Sequence, residues 1–215
     1  MQAYYLHGPR DLRPVEIEKP QPGPLEALVR VRATGICGSD IHYFLHGKNG
    51  DFVPERPFVL GHESSGEIVD SGTFTDALPV GSRVAIDPSH PCRACVHCRE
   101  GNQNHCSHMR YFGSAACSPP QDGSFREYVQ VNAENCHLIP DSMNYHQAAM
   151  LEPLSIAVHG IGQAGSIAGN ANLAPLLGGV DGKTENHNGA APHAKLIFED
   201  GSNDGRSPYL YFPSD

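Results

Sequence analysis

The segment CRACVHCREGNQNHC, residues 92–106, contains four cysteines and has almost nothing apolar between them. The cysteines follow the spacing C-x2-C-x2-C-x7-C. Zn²⁺ prefers four thiolate ligands in a tetrahedron at about 2.3 Å, and intervals of two residues let neighbouring cysteines turn toward one ion. Such an ion would hold a loop that has no hydrophobic core of its own. The sequence therefore predicts a structural zinc site formed by Cys92, Cys95, Cys98 and Cys106.

Two other uses of clustered cysteines fit this segment less well. Iron–sulfur proteins use the tighter run C-x2-C-x2-C-x3-C-P, whereas the last interval here has seven residues. Disulfides are the other alternative, but cysteines two residues apart make poor bridges. A reducing compartment also favours metal binding or catalysis over disulfide formation.

The composition limits the possible partners and compartments. The net charge of -9 argues against binding to nucleic acid or to an anionic membrane, because both would repel such a surface. No apolar run approaches the roughly 20 residues that span a bilayer. The first residues, MQAYYLHGPRDLR, do not resemble a signal peptide. We expect a cytoplasmic protein with no membrane or nucleic-acid partner.

Short strands separated by turns dominate the first 140 or so residues, so the predicted fold is mainly β with short helices. Alternating apolar and polar residues predict a strand over Ala27–Ala33, and further strands are expected in FVLGHESSGEIV, GSRVAID and GSFREYVQVN. Three helices are predicted: GSDIHYFLHG capped by Ser39 or Asp40, MNYHQAAML capped by Ser142, and PLSIAVHGIGQAG with Pro153 in its first turn.

A second group of candidate ligands is spread over three segments, GICGSDIHY, GHESSGEIV and LEPLSIAVH. The residues are Cys37, His62, Glu63 and Glu152. Spacing alone does not establish a metal site here, because the residues are far apart in the sequence. Cys37 could be a small buried hydrophobic residue, His62 and Glu63 could belong to an ordinary turn, and Glu152 could simply lie near a helix N-terminus.

Taken together, these segments resemble the zinc-dependent medium-chain alcohol dehydrogenases, in which GICGSD, GHE, the four-cysteine loop and EPLSIAVH occur in the same order. Within the polyol branch, CGSDIHY, HGKNGDF and PFVLGHE are similar to sorbitol dehydrogenases. MRYFGSAACSPPQDGSFREY is similar to L-idonate 5-dehydrogenases. The resemblance covers residues 1–168, and it implies a chaperonin-10-like (GroES-like) β-barrel catalytic domain.

The resemblance also implies a catalytic zinc ion. Its ligands would include Cys37 and His62, and a glutamate takes the place of a second cysteine in the polyol branch. Glu63 and Glu152 are both candidates, one binding directly and the other through water. Asp40 would orient the His62 ring.

The implied reaction is alcohol oxidation with NAD or NADP as hydride acceptor. Ser39 and His42 match the positions that pass the hydroxyl proton to solvent. Tyr43 and Phe112 would line the pocket for a small polyol or sugar acid, although plain packing would also explain both. A homo-oligomer is expected from the resemblance.

The resemblance ends before a nucleotide-binding domain. GIGQAG, residues 160–165, matches G-x-G-x-x-G, but that pattern binds a pyrophosphate only where it follows a strand and opens a helix. Because it follows a predicted helix, we assign no cofactor-binding residue. Residues 169–215 are expected to form an irregular tail. The sequence thus leaves two readings, a dehydrogenase and a non-catalytic zinc-binding module or inactive fragment.

Overall fold

The structure is a computed structural model, and it describes residues 1–72 and 78–164. Strands dominate, as predicted. In chain order they are β1 (Gln2–Gly8), β2 (Asp11–Glu16), β3 (Glu26–Thr34), β4 (Phe58–Val59), β5 (Ser64–Asp70), β6 (Arg83–Ile86), β7 (Ser89–His90), β8 (Arg110–Tyr111), β9 (Tyr128–Asn132) and β10 (Cys136–Leu138). The α-helices are α1 (Gly38–His46), α2 (Val96–Arg99), α3 (Tyr145–Ala149) and α4 (Leu151–Ala164). None of the described helices is long and apolar enough to cross a membrane.

The strands form three antiparallel sheets. The larger sheet has the order β10-β6-β5-β3-β9, a smaller sheet has the order β2-β1-β4, and β7 pairs with β8 in a separate hairpin. The predicted strand over Ala27–Ala33 is confirmed as the centre of β3. Its alternate side chains Ala27, Val29 and Val31 are fully buried in the main hydrophobic cluster, as its pattern requires.

FVLGHESSGEIV contains two strands rather than one. β4 belongs to the smaller sheet and β5 to the larger sheet, so residues 60–63 connect the two. This connection contains His62 and Glu63, and both are buried. The candidate ligands in GHE therefore lie where the chain crosses between two packed sheets.

Two helix caps differ from the prediction. α1 begins after Cys37, so its N-cap is a cysteine and neither Ser39 nor Asp40. Asp40 still contributes to the cap, because its carboxylate accepts a hydrogen bond from the Cys37 backbone N–H at 2.9 Å. α3 is capped by Asn144 in place of Ser142, and Asn144 and Gln147 form a reciprocal capping box.

The third predicted helix is confirmed as α4, with Pro153 in its first turn. Residues 160–164 of GIGQAG continue this helix. Within the described residues the motif therefore lacks the strand and turn that a pyrophosphate-binding loop requires. The proposed boundary after residue 168 and the tail 169–215 lie outside the described residues.

Candidate metal centres and active site

The end of the β3–β5 ladder brings Cys37, His62 and Glu63 together. The two strands are antiparallel, and their last pair joins Thr34 to Ser64. The segment that follows Thr34 and the segment that precedes Ser64 therefore lie side by side at the same end of the ladder. The Gly35 N–H continues the pairing by donating to the Glu63 carbonyl at 2.7 Å.

The side chains of these three residues form one compact group. The Cys37 thiol, a ring nitrogen of His62 and a carboxylate oxygen of Glu63 all lie within 4.8 Å of one another. We call this group the mixed cluster. A thiol, an imidazole and a carboxylate are the ligand types found at catalytic zinc sites, which keep a further position for water or substrate.

Asp40 fixes the two segments that carry the mixed cluster. One carboxylate oxygen accepts from the Cys37 N–H at 2.9 Å, and the other accepts from the Gly61 N–H at 3.0 Å. Asp40 is 2% exposed, so these charge-assisted bonds lie in the interior. Asp40 therefore acts on the backbone of Gly61, the residue before His62, and its predicted role in orienting the His62 ring stays a prediction.

Gly61 is needed for this arrangement. Its backbone has a φ of 92°, which side-chain-bearing residues rarely adopt. A Cβ at this position would also lie 2.2 Å from the Phe125 ring. The glycine of GHE thus lets the connection between the sheets turn tightly and deliver His62.

The electrostatics of the mixed cluster favour a bound cation. Burial alone would lower the pKa of His62, but the hydrogen bond with Cys37 and the charges of Asp40 and Glu152 raise it to about 10. Burial is the main reason that the pKa of Glu63 rises to about 7. Negative groups thus surround the imidazole and strongly favour positive charge there.

Two buried polar atoms without partners support the same conclusion. His62 Nδ1 and Glu63 Oε2 have no hydrogen-bond partner among the described residues. Buried polar atoms without partners are costly and call for an explanation. A zinc ion accepts lone pairs from nitrogen and oxygen, so the residues present fit the metal that the sequence predicted.

Glu152 lies next to the mixed cluster but outside it. No fourth ligand atom in the described part of the chain joins the three within the same distance. Glu152 is in the first turn of α4, and its Oε1 accepts a hydrogen bond from the Tyr111 hydroxyl at 2.5 Å. The nearby charge of Glu152 contributes to the raised pKa of both His62 and Glu63.

The four cysteines of residues 92–106 form a second group, which we call the thiol cluster. The sulfur atoms of Cys92, Cys95, Cys98 and Cys106 lie within 4.8 Å of one another, and all seven cysteines of the chain are free thiols. Backbone N–H groups point at the sulfurs: Cys92 and His108 donate to Cys106 Sγ at 3.2 and 3.3 Å. An all-sulfur group of this kind fits a closed structural zinc site.

Backbone hydrogen bonds favour the thiolate form at two of the four cysteines. The N–H groups of Cys98 and Ser107 lower the pKa of the Cys95 thiol to about 5. Those of Ala94 and Cys95 lower the pKa of Cys92. Because the thiolate is the form that binds metal, these bonds favour the ligand state.

Ser39 and His42 are both on α1, three residues apart and on adjacent parts of one helix face. Ser39 is half-buried and His42 is exposed. This order from the interior to the surface suits the predicted proton path. The path itself remains a prediction.

Tyr43 and Phe112 are both 1% exposed and belong to hydrophobic clusters. The Tyr43 hydroxyl accepts from the Ala115 N–H at 3.0 Å, and its ring meets Phe58 edge to face. The Phe112 ring packs against His90 with ring centroids 4.9 Å apart. Packing accounts for both residues, and their contact with substrate remains a prediction.

Tyr111 is the residue that sequence reasoning missed. It contacts Glu152 through its hydroxyl, and its ring meets the His62 ring edge to face with centroids 5.6 Å apart. No pattern in the sequence singles out Tyr111, because β8 ends at this residue and its contacts depend on α4 and on the connection that carries His62.

The fold agrees with what known proteins show. Residues 23–141 match the alcohol dehydrogenase GroES-like domain family. The chain belongs to this family. The expected GroES-like fold is therefore confirmed, and the mixed cluster and the thiol cluster both lie within the matched residues.

Individual relatives of this GroES-like chain are polyol dehydrogenases. Sorbitol dehydrogenase of Bos taurus is 41% identical over 168 residues, which are 78% of this chain and 46% of the relative. Sorbitol dehydrogenase of Bacillus subtilis (strain 168) is 40% identical over 159 residues, covering 74% and 44%. The crystal structure of L-idonate 5-dehydrogenase from Escherichia coli superposes with a TM-score of 0.69 at 36% identity, covering 77% and 47%. The chain thus spans about half the length of these relatives.

Proposed function

We propose that this chain carries the catalytic domain of a zinc-dependent dehydrogenase. The substrate would be a secondary alcohol of a polyol or sugar acid, and NAD or NADP would accept the hydride. The observation that carries the proposal is the mixed cluster, in which Cys37, His62 and Glu63 converge with two unpartnered buried ligand atoms. The polyol dehydrogenases among its relatives support this substrate class.

The residues of the two clusters would have separate roles. Cys37, His62 and Glu63 would hold the catalytic zinc, with Glu152 as a nearby carboxylate, and the four thiols would hold the structural zinc. Bound zinc supplies a Lewis acid that lowers the pKa of an alcohol. Asp40 keeps the Cys37 and His62 segments in register.

The proton of the substrate hydroxyl needs a path to water. Ser39 would accept it near the mixed cluster and pass it to His42, which is exposed on the same helix. An imidazole suits this step because its ordinary pKa lies close to physiological pH. The hydride would pass to the nicotinamide, for which we assign no binding residue in the described part of the chain.

A non-catalytic zinc-binding module is the second candidate. The observation in its favour is that residues 160–164 of the one G-x-G-x-x-G string are helical. Such a module would bind both metal ions without binding the nicotinamide cofactor.

Metal analysis combined with NAD⁺ and NADP⁺ titration of the full chain separates these functions. The proposal expects one zinc for each of the two clusters, together with cofactor binding and turnover of L-idonate or sorbitol. Two zinc ions without cofactor binding would select the non-catalytic module. A chain that binds zinc only at the thiol cluster would contradict the proposed active site.

A further inference from the structure

Tyr111 joins two parts of the site that come from different elements. Its hydroxyl donates to Glu152 Oε1 on α4 at 2.5 Å, while its ring packs edge to face on His62. It therefore touches one member of the mixed cluster and holds the carboxylate that lies next to it.

Glu152 needs such a partner to keep one position. Glu152 is in the first turn of α4, and its negative charge repels that of the buried Glu63 carboxylate. A free glutamate in this place would turn toward solvent, since an unrestrained side chain gains rotamer entropy. The hydroxyl of Tyr111 opposes that movement by binding one carboxylate oxygen.

The hydroxyl is a dependable donor. A phenol keeps its proton at physiological pH, so the Tyr111 hydroxyl donates to the Glu152 carboxylate oxygen.

The thiol cluster lies on the loop that connects the two strands next to Tyr111. Tyr111 pairs with Ser89 in the two-residue ladder of β7 and β8, and the Phe112 N–H donates to the Pro88 carbonyl beside it. Residues 92–106 lie between these two strands, so a metal ion on the four thiols would close the loop at the end of the ladder. A two-stranded ladder this short is not stable alone, and a closed loop would add a restraint on it.

We propose that Tyr111 is a positioning residue that holds the Glu152 carboxylate beside the mixed cluster. The inference rests on the proposed function, since it assigns Glu152 its place next to a metal at Cys37, His62 and Glu63. It adds a residue outside the predicted ligand set, and it explains why Glu152 stays near the cluster without joining it.

The test loads the full chain with Co²⁺ in place of zinc, because the visible absorption of cobalt reports its ligands and geometry. In Tyr111→Phe, which removes only the hydroxyl, we expect the bands of the mixed cluster to shift and its cobalt affinity to fall by about 10- to 100-fold, as for other groups that orient metal ligands. The bands of the thiol cluster should not change. Tyr128→Phe is the matched control. Tyr128 is also half-buried, but it is on β9, where the Lys19 ammonium lies over its ring.

Glu152→Ala and the double variant show whether Tyr111 acts through Glu152, because alanine leaves no acceptor for the Tyr111 hydroxyl. If Tyr111 acts in this way, Tyr111→Phe should change affinity much less when Glu152 is already alanine. Equal effects in both backgrounds, or an unchanged cobalt spectrum in Tyr111→Phe, would overturn the inference while the proposed function stands. If the unsubstituted chain binds cobalt only at the thiol cluster, the proposed function fails, and the inference fails with it.

Discussion

Gly35 offers a sharp test of the mixed cluster, because its missing side chain leaves the space that Glu63 fills. A Cβ added at Gly35 would lie 2.1 Å from Glu63 Oε2 and 3.1 Å from Glu63 Cβ. The backbone of Gly35 is not in the left-handed region, so alanine is allowed there. Gly35→Ala therefore acts on the Glu63 side chain and not on the conformation of the chain.

The displacement follows from these distances. Ordinary van der Waals contact begins at 3.4 Å, so an oxygen at 2.1 Å must retreat by 1.3 Å. Metal–ligand distances tolerate deviations of only about 0.2 Å. We therefore expect Glu63 to leave the metal and the affinity of the mixed cluster to fall by at least about 10- to 100-fold, the range seen when ligand orientation is lost.

The fold should survive this substitution. The closest atom is the end of a flexible side chain, and moving it costs about 0.5–1.5 kcal/mol if it leaves its rotamer. Gly→Ala also lowers the entropy of the unfolded chain, and this stabilises the folded state by about 0.4–1 kcal/mol. The free energy of unfolding of the metal-free chain should therefore change by no more than about 1 kcal/mol.

The assay is a competition titration with a chromophoric chelator, together with denaturant unfolding of the chelated chain. Gly160→Ala is the control, because a Cβ there meets nothing within 4 Å and the residue is inside α4. It should leave metal affinity unchanged and stabilise the helix by up to about 1 kcal/mol. An unchanged affinity in Gly35→Ala would show that the Glu63 carboxylate is not at the metal, and a loss of several kcal/mol would show that the segment cannot adjust.

Three further predictions concern the thiol cluster, the metal ions and the core. Cys95→Ser should remove one zinc ion and destabilise the fold, whereas Cys37→Ser should remove the other zinc ion with a smaller loss of stability. Metal analysis and thermal unfolding of both variants check this prediction. If both variants keep two zinc ions, the ligand assignments are wrong. Zinc removal by a chelator should become faster as the pH is lowered, because protons compete for the ligand thiols and the imidazole; a rate independent of pH would contradict thiolate ligation. Phe112→Ala should lower the free energy of unfolding by about 3–5 kcal/mol, because it empties a fully buried ring site; a loss below about 1 kcal/mol in denaturant unfolding would show that Phe112 does not support the core.

The sequence predicts a strand with one buried face better than it predicts a helix N-cap. The alternation in residues 27–33 indicated β3 correctly, because one buried face produces a regular pattern over a few residues. The start of α1 was placed too late because serine and aspartate are the common N-caps, whereas here Cys37 takes that position. Asp40 lies inside the helix and reaches back to the cap, a role that its residue type also permits.

The mixed cluster and the thiol cluster differ in how far spacing alone can predict them. The four thiols lie within residues 92–106, so a short loop can gather them and the spacing indicates the site directly. Cys37 and His62 meet only because the β3–β5 ladder ends at Thr34 and Ser64, and no local pattern contains that register. Family resemblance predicts these candidate ligands, whereas the reason that they meet is visible only in the sheet.

The glycines of the same segments explain how a general fold acquires this particular site. Gly35 makes room for the Glu63 carboxylate, and Gly61 lets the chain turn beside the Phe125 ring while its N–H binds Asp40. A larger residue at either position would separate the candidate ligands while leaving most of the sheet intact. The motifs TGIC and GHE therefore specify the close approach of two backbone segments as much as the ligands themselves, and this approach decides whether the chain can hold an open metal site.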